Sequence, residues 1–249
     1  NGNLTDDGTL LLEYDALNRL KRVKNKSNSQ TVGEYTYDVQ GRRIRKVITN
    51  GGITGILTNG TTDYLYDQNQ CVEERDGSNS HTRQFIWGVY IDELIQQKTY
   101  ATTGGGGLAA GEYYPLQDPH YRVMALTDDG GDIVEAYDYD PYGKRQVFSA
   151  AGTDAIWFTN DDTIADDASC QYGHQGLLHD EETGLVYNRA RMLHPILGRF
   201  LQRDPERHVD GMNFYQYLRS APTLYRDAKG TACTVTFQCS LATSSPSGR

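Results

Sequence analysis

The chain has 249 residues, a formal net charge of −9 and 37% hydrophobic residues, among them 18 tyrosines. A surface this acidic repels phosphate backbones, which sets aside nucleic-acid binding without a local basic patch. No apolar run approaches the roughly 20 residues of a membrane-spanning helix. No leader pattern opens the chain, which begins in mid-pattern and reads as a fragment of a longer protein.

The first half repeats itself. "LLEYDALNRLKRV" (Leu11–Val23) is followed by "GEYTYDVQGRRIRKV" (Gly33–Val47) and "TDYLYDQNQCVEE" (Thr62–Glu74), and "EAYDYDPYGKRQVF" (Glu135–Phe148) comes later. Each unit ends an alternating strand in Tyr-Asp, turns, and returns as a basic strand. Tyr14 to Tyr37 is 23 residues and Tyr37 to Tyr66 is 29, periods that indicate units stacking on their neighbours. Alternation puts Tyr35 and Tyr37 on one face, and the Asp side chain caps the turn. The hairpins are expected to join into one long twisted, curling sheet, so the fold is all-β with Tyr14, Tyr37 and Tyr66 in strands. The tyrosines and Trp87 are read as walls of a core, with sugar stacking as the alternative. "RRIRK" (Arg42–Lys46) is the densest basic run, and its alternation around Ile44 reads as a solvated strand face.

Two stretches interrupt the pattern. The Gly-rich "TYATTGGGGLAAGEYY" (Thr99–Tyr114) lacks the lysine of a phosphate loop and reads as a linker. The acidic insertion "AAGTDAIWFTNDDTIADDASC" (Ala150–Cys170) offers Asp154, Asp161 and Asp162 as oxygen ligands for calcium, or as caps of an exposed loop. None of Cys71, Cys170, Cys233 and Cys239 forms a CxxC pair, and the last two close a small loop if oxidised. His174, His179 and His194 match no helical metal motif and are read as solvated or turn histidines. No GxSxG elbow supports serine hydrolysis.

Near the C-terminus stands "RARMLHPILGRFLQRDP" (Arg189–Pro205), with Arg191 and Asp204 thirteen residues apart, and Asp227 follows in "YRDAKG". Two carboxylates brought together divide into an acid and a base, and an arginine beside them holds a carbonyl or oxyanion. These are sufficient parts for water-mediated amide hydrolysis, with no cofactor required. Spacing alone does not bring them together.

The Tyr-Asp pattern resembles the YD repeats of the RHS family, the rearrangement-hotspot and toxin-complex shell proteins. "RQFIWGVYIDELI" (Arg83–Ile95) resembles the strand before that family's core. "YYPLQDPHYRVMALTDDGGDIVEAYDYDPYGK" (Tyr113–Lys144), "YGHQGLLHDEETGLVYNRARMLHPILGRFLQRDP" (Tyr172–Pro205) and "DGMNFYQYLRSAPTLYRDAKG" (Asp210–Gly230) resemble the core itself. The resemblance implies a shell that encloses a toxin or effector, closed by a plug with an aspartyl autoprotease that frees its C-terminal cargo. Its catalytic groups map onto Arg191, Asp204 and Asp227, and the scissile bond onto Thr231–Ala232. Departures are Ala228 for the usual proline, Thr231 at the cut, and Met192, Leu193 and His194 where Tyr-Tyr-Asp is usual.

The implied organisation is a repeat sheet (1–98), a Gly-rich loop with core strands (99–149), the acidic insertion (150–171), the closing region (172–231), and a tail or start of cargo (232–249). Partners are the chain's own cargo or the rest of the shell, with the parent protein secreted or at the cell surface. Two alternatives use the same residues differently. One is a non-catalytic secreted or surface protein that binds carbohydrate or protein, the other a hydrolase acting in trans through the same aspartates.

Overall fold

The Tyr-Asp units at Asp15, Asp38 and Asp140 end their strands in the same hydrogen-bonded turn, and the sheet grows from that repetition. The computed structural model describes residues 2–100, 108–207 and 211–235. The first strands are β1 (Leu10–Tyr14), β2 (Leu20–Asn25), β3 (Thr31–Tyr37), β4 (Arg43–Ile48), β5 (Gly60–Asp67) and β6 (Gln70–Asp76). They continue as β7 (His81–Trp87), β8 (Leu94–Thr99), β9 (Gly111–Gln117), β10 (Val123–Thr127), β11 (Ile133–Tyr139), β12 (Arg145–Ala150) and β13 (Thr163–Ala165). Among the described residues these thirteen form one sheet in sequence order. It runs unbroken past residues 98–99 and 149–150: β8 pairs with β9 across the Gly-rich loop, and β13 of the acidic insertion pairs with β12. Residues 101–107 of that loop lie outside the described residues.

Asp67 closes a tighter turn by pairing with Gln70, and the others share one chemistry. The Oδ1 of Asp38 accepts the amides of Gln40 and Arg42, both at 2.9 Å, while its Oδ2 takes Arg42 Nε at 2.7 Å. Asp15 with Arg19 and Asp118 with Arg122 repeat the arrangement. The residue three after the aspartate must turn with positive φ, which suits Asn18 (64°) and Gly41 (85°). The arginine then ties its unit to the next one. Arg19 donates to the Asp38 carbonyl at 2.9 Å and lies 5.0 Å over the Tyr37 ring; Arg42 treats Gln68 and Tyr66 likewise. Tyr37 in turn donates its hydroxyl to the Leu20 carbonyl at 2.8 Å. Tyr14, Tyr37 and Tyr66 all lie in strands of the one antiparallel sheet, as their alternation requires.

Tyrosines wall the core: Tyr35, Tyr64, Tyr113 and Tyr137 are buried, and Trp87 meets Tyr172 edge-on at 4.9 Å. A second sheet, β14 (Leu178–Asp180), β15 (Leu185–Asn188), β16 (Arg191–His194) and β17 (Arg199–Phe200), packs on the buried face of the first. Beyond it, β18 (Tyr225–Arg226) pairs with β19 (Thr234–Val235).

The basic run of β4 overturns the solvated-face expectation. Arg43 is 0% exposed and Lys46 1%, while Ile44 faces outward. Arg43 grips Asp180 through two bonds, 2.5 and 2.8 Å, between the rings of Tyr35 and Tyr187, each 4.2 Å away. Lys46 reaches Glu182 at 3.3 Å, and Tyr35 donates to the same carboxylate at 2.8 Å. Charges leave water only when paired and hydrogen-bonded, and the closing sheet supplies the partners. Removing one member strands the other. Asp180→Ala is therefore expected to lower the unfolding free energy by about 3–5 kcal/mol. Tyr37→Ala is expected to cost about 3 kcal/mol, and Ile44→Thr on the outer face under about 0.5 kcal/mol. Urea unfolding of the three variants checks this order.

Candidate active site around Arg191

Arg191 opens β16 just after the tight turn of Arg189 and Ala190, which reverses β15 and pairs Asn188 with Arg191. Arg189 takes a positive φ of 46° to make that turn. The guanidinium of Arg191 lies 3.6 Å from the centre of the Phe200 ring of β17, and the residue is 2% exposed. A cation so placed is fixed by stacking and must be neutralised by neighbours.

Two carboxylates do so. Arg191 Nη1 meets Asp204 Oδ2 at 2.9 Å, and Nη2 meets Asp227 Oδ2 at 3.4 Å. Asp204 is held in a turn by the Glu206 amide at 2.8 Å, and Asp227 follows β18. Asp227 is 2% exposed and Asp204 8%. Burial holds the Asp227 carboxyl above its ordinary range, against the pull of Arg191 and of the Thr231, Lys229 and Gly230 amides. The three residues picked from the sequence thus meet around one guanidinium.

The chain before Thr231–Ala232 is fastened to the same groups. Arg191 Nε donates to the Gly230 carbonyl at 2.5 Å, and Asp227 Oδ1 accepts the Thr231 amide at 3.1 Å. Gly230 has φ of 70°, and a Cβ there would run into the Asn188 carbonyl, so no other residue fits.

Sequence reasoning missed a second charged pair beside the first. Arg189 Nη2 bonds Asp92 Oδ1 at 2.5 Å, and its Nη1 donates to the Ala228 carbonyl. Asp92 comes from the loop between β7 and β8 and is 2% exposed; burial pushes its carboxyl up to about 6, against Arg189. The signal was present as the other arginine of "RAR", but its partner is far away in the chain. Asn188 was also missed: it is buried, and among the described residues its Nδ2 and Oδ1 have no hydrogen-bond partner.

The other candidates fall elsewhere. His174, His179 and His194 are buried, which corrects the solvated part of their reading, while His174 opens a 3-10 turn and His194 Nδ1 accepts the Leu197 amide of the turn after it. The His179 Nε2 accepts the His174 amide at 3.0 Å, His174 Nε2 lies 3.2 Å from the Tyr217 hydroxyl, and His194 Nε2 lies 3.1 Å from Asp7. In the acidic insertion Asp161 accepts from Thr153 and Thr159, Asp162 from the amides of Gly152, Phe158 and Thr159, and Asp154 from the Ile156 amide. Among the described residues no group of three or more His, Cys, Asp and Glu is placed to hold a metal ion. Cys71 and Cys170 are buried free thiols; Cys239, and with it any Cys233–Cys239 bridge, lies outside the described residues.

No family model matches the chain. Toxin proteins are among its homologues. It is 48% identical over 242 residues to the toxin protein Tse5 of Pseudomonas aeruginosa, covering 92% of this chain and 18% of that protein. It is 30% identical over 234 residues to the tRNA3(Ser)-specific nuclease WapA of Bacillus spizizenii and to the tRNA(Glu)-specific nuclease WapA of Bacillus subtilis subsp. natto, covering 92% of this chain and 9% of each. The chain therefore spans under a fifth of the length of these relatives. Among solved structures, the crystal structure of TcdB2-TccC3-Cdc42 shares the fold, with a TM-score of 0.63 at 20% identity over 91% of this chain and 10% of that one.

The buried imidazole of His174 yields a measurable consequence. Burial pushes it down to about 3, with Arg122 adding to the effect. The unfolded chain binds this proton below about 6.5 while the folded chain does not until about 3. This contribution is thus intact above about 6.5 and is lost as pH falls towards 3, at up to about 1.4 kcal/mol per pH unit. NMR titration is expected to find the His174 ring neutral at pH 5; a midpoint near 6.5 would refute its burial.

Proposed function

We propose that this chain is the closing segment of an RHS/YD-repeat shell in a toxin protein, and that Arg191, Asp204 and Asp227 cut the Thr231–Ala232 bond to free whatever follows. The observation that carries the reading is the convergence of both aspartates on one buried arginine that also holds the chain ahead of that bond. The repeat chemistry, with its Asp-capped turns and inter-unit arginines, supports the shell part of the reading. So does the relation to the two Bacillus nucleases, which are named for different tRNA targets yet match this chain over the same length. A segment common to toxins of different specificity suits a carrier better than the part that selects the target. The parent protein is then secreted or surface-associated, with its cargo and the rest of the shell as partners.

The proposed chemistry is a single hydrolysis. Asp204, ion-paired to Arg191, takes a proton from water as the water oxygen bonds to the Thr231 carbonyl carbon. Asp227, which burial favours in its protonated form, donates to the Ala232 nitrogen as the C–N bond breaks. Arg191 stabilises the negative charge that develops beside it. The hydroxyl proton of the new acid passes to the released amine, so the products are a carboxylate on Thr231 and an ammonium on Ala232, and the sum consumes one water. The depth of the site favours action in cis, since an added substrate would have to displace the chain's own segment.

Intact mass of the purified chain is expected to show loss of residues 232–249, and Asp204→Asn and Asp227→Asn are each expected to keep it whole. A wild-type chain that stays whole alongside both variants leaves a shell role alone.

A further inference from the structure

Three successive residues, two in the turn after β15 and one at the start of β16, take three successive carbonyls of the segment ahead of the proposed cut. Arg189 Nη1 donates to Ala228, the Ala190 amide to Lys229 at 3.2 Å, and Arg191 Nε to Gly230 at 2.5 Å. One main-chain and two arginine side-chain donors on consecutive carbonyls fix how this bent segment sits, because a slip by one residue breaks all three bonds together. The outermost bond depends on a residue from elsewhere. Arg189 is oriented by Asp92, from the loop that joins β7 and β8 of the main sheet: the Asp92 carbonyl accepts Gln117 Nε2 at 2.9 Å, and Gly176 of the closing region packs directly against it.

We propose that Arg189 is a positioning residue whose hold on Ala228 is set by Asp92, so that the segment 228–230 is locked in register only when the closing region is seated on the main sheet. The inference rests on the reading of Arg191, Asp204 and Asp227 as the cutting groups. It adds that self-cleavage waits on docking, because one arm of the peptide clamp is aimed by the shell wall. Premature release from an unclosed shell would thereby be suppressed without any separate regulatory element.

Trypsin provides a test that does not require self-cleavage. Lys229 is exposed, yet its carbonyl is held by Ala190, so trypsin reaches the Lys229–Gly230 bond only when the clamp opens. Cutting at Lys98, in β8, serves as the internal reference, since general destabilisation raises both sites in parallel. Arg189→Gln and Asp92→Asn are expected to raise the ratio of Lys229 to Lys98 cutting by about tenfold or more, as proteolysis follows the population of the open form. Arg189→Lys should restore most of the protection. Where the wild type self-cleaves, Arg189→Gln should also slow the loss of residues 232–249 by about tenfold. A Lys229 ratio unchanged in both Arg189→Gln and Asp92→Asn overturns the positioning role, whether or not the chain cuts itself. A wild-type mass equal to that of Asp204→Asn instead overturns the protease reading, and the trypsin ratio still decides the clamp.

Discussion

The buried contact between Arg43 of β4 and Asp180 of β14 is the constraint from which the rest of the arrangement follows. Both side chains are 0% exposed, and the guanidinium is bonded twice to the carboxylate between two tyrosine rings. A charge placed there without its partner would cost several kcal/mol, so the two sheets cannot slide past one another as two apolar surfaces can. Lys46 with Glu182 and Arg145 with Glu181 repeat the constraint at neighbouring points. The inner face of the sheet is thus a charge template as well as a hydrophobic wall, and the closing region is cut to it. Replacing such pairs with hydrocarbon often preserves stability, so their value here lies in fixing one docking geometry.

That geometry delivers the site. Once β14 and β15 are anchored by Asp180 and the Tyr187 ring, the turn after Asn188 is brought beside the β7–β8 loop, where Asp92 is found. Arg189 and Arg191 then flank Ala190 and divide the work. One is balanced by the main sheet through Asp92, the other by the closing region's own Asp204 and Asp227. A buried cation and a half-buried one this near each other are tolerable because three buried carboxylates surround them. At both Asp227 and Asp92 burial outweighs the opposing pull of the neighbouring arginine and raises the carboxyl above its ordinary range.

Local chemistry was legible in the sequence and long-range chemistry was not. The hairpins could be read because alternation, the capping aspartate and the positive-φ residue all lie within a few positions of one another. The face of β4 could not, because the groups that neutralise Arg43 and Lys46 stand 137 and 136 residues away. An isolated basic strand is cheapest in water, and only the closing sheet reverses that preference. The histidines were misplaced for the same reason, since their packing partners arrive from other elements. For the site, the residue types and the family resemblance pointed to Arg191, Asp204 and Asp227, while Asp92 carried no signal because it lies 97 residues from its arginine in an unremarkable loop.

The departures from the resembled pattern at 228 and 231 fall where the clamp is indifferent. Ala190 and the two arginines bond the carbonyl oxygens of residues 228–230, and every residue type supplies a carbonyl. An alanine at 228 presents the same oxygen to Arg189 as a proline would, and Thr231 offers through its amide the hydrogen that Asp227 accepts. The position that cannot vary is 230, where the positive φ and the close approach of the Asn188 carbonyl admit only glycine, and glycine is what stands there. A peptide held by its backbone leaves its side chains free to drift. The substitutions around the proposed cut are therefore compatible with an intact register, and altered side chains at 228 and 231 do not by themselves imply a site that has lost its substrate.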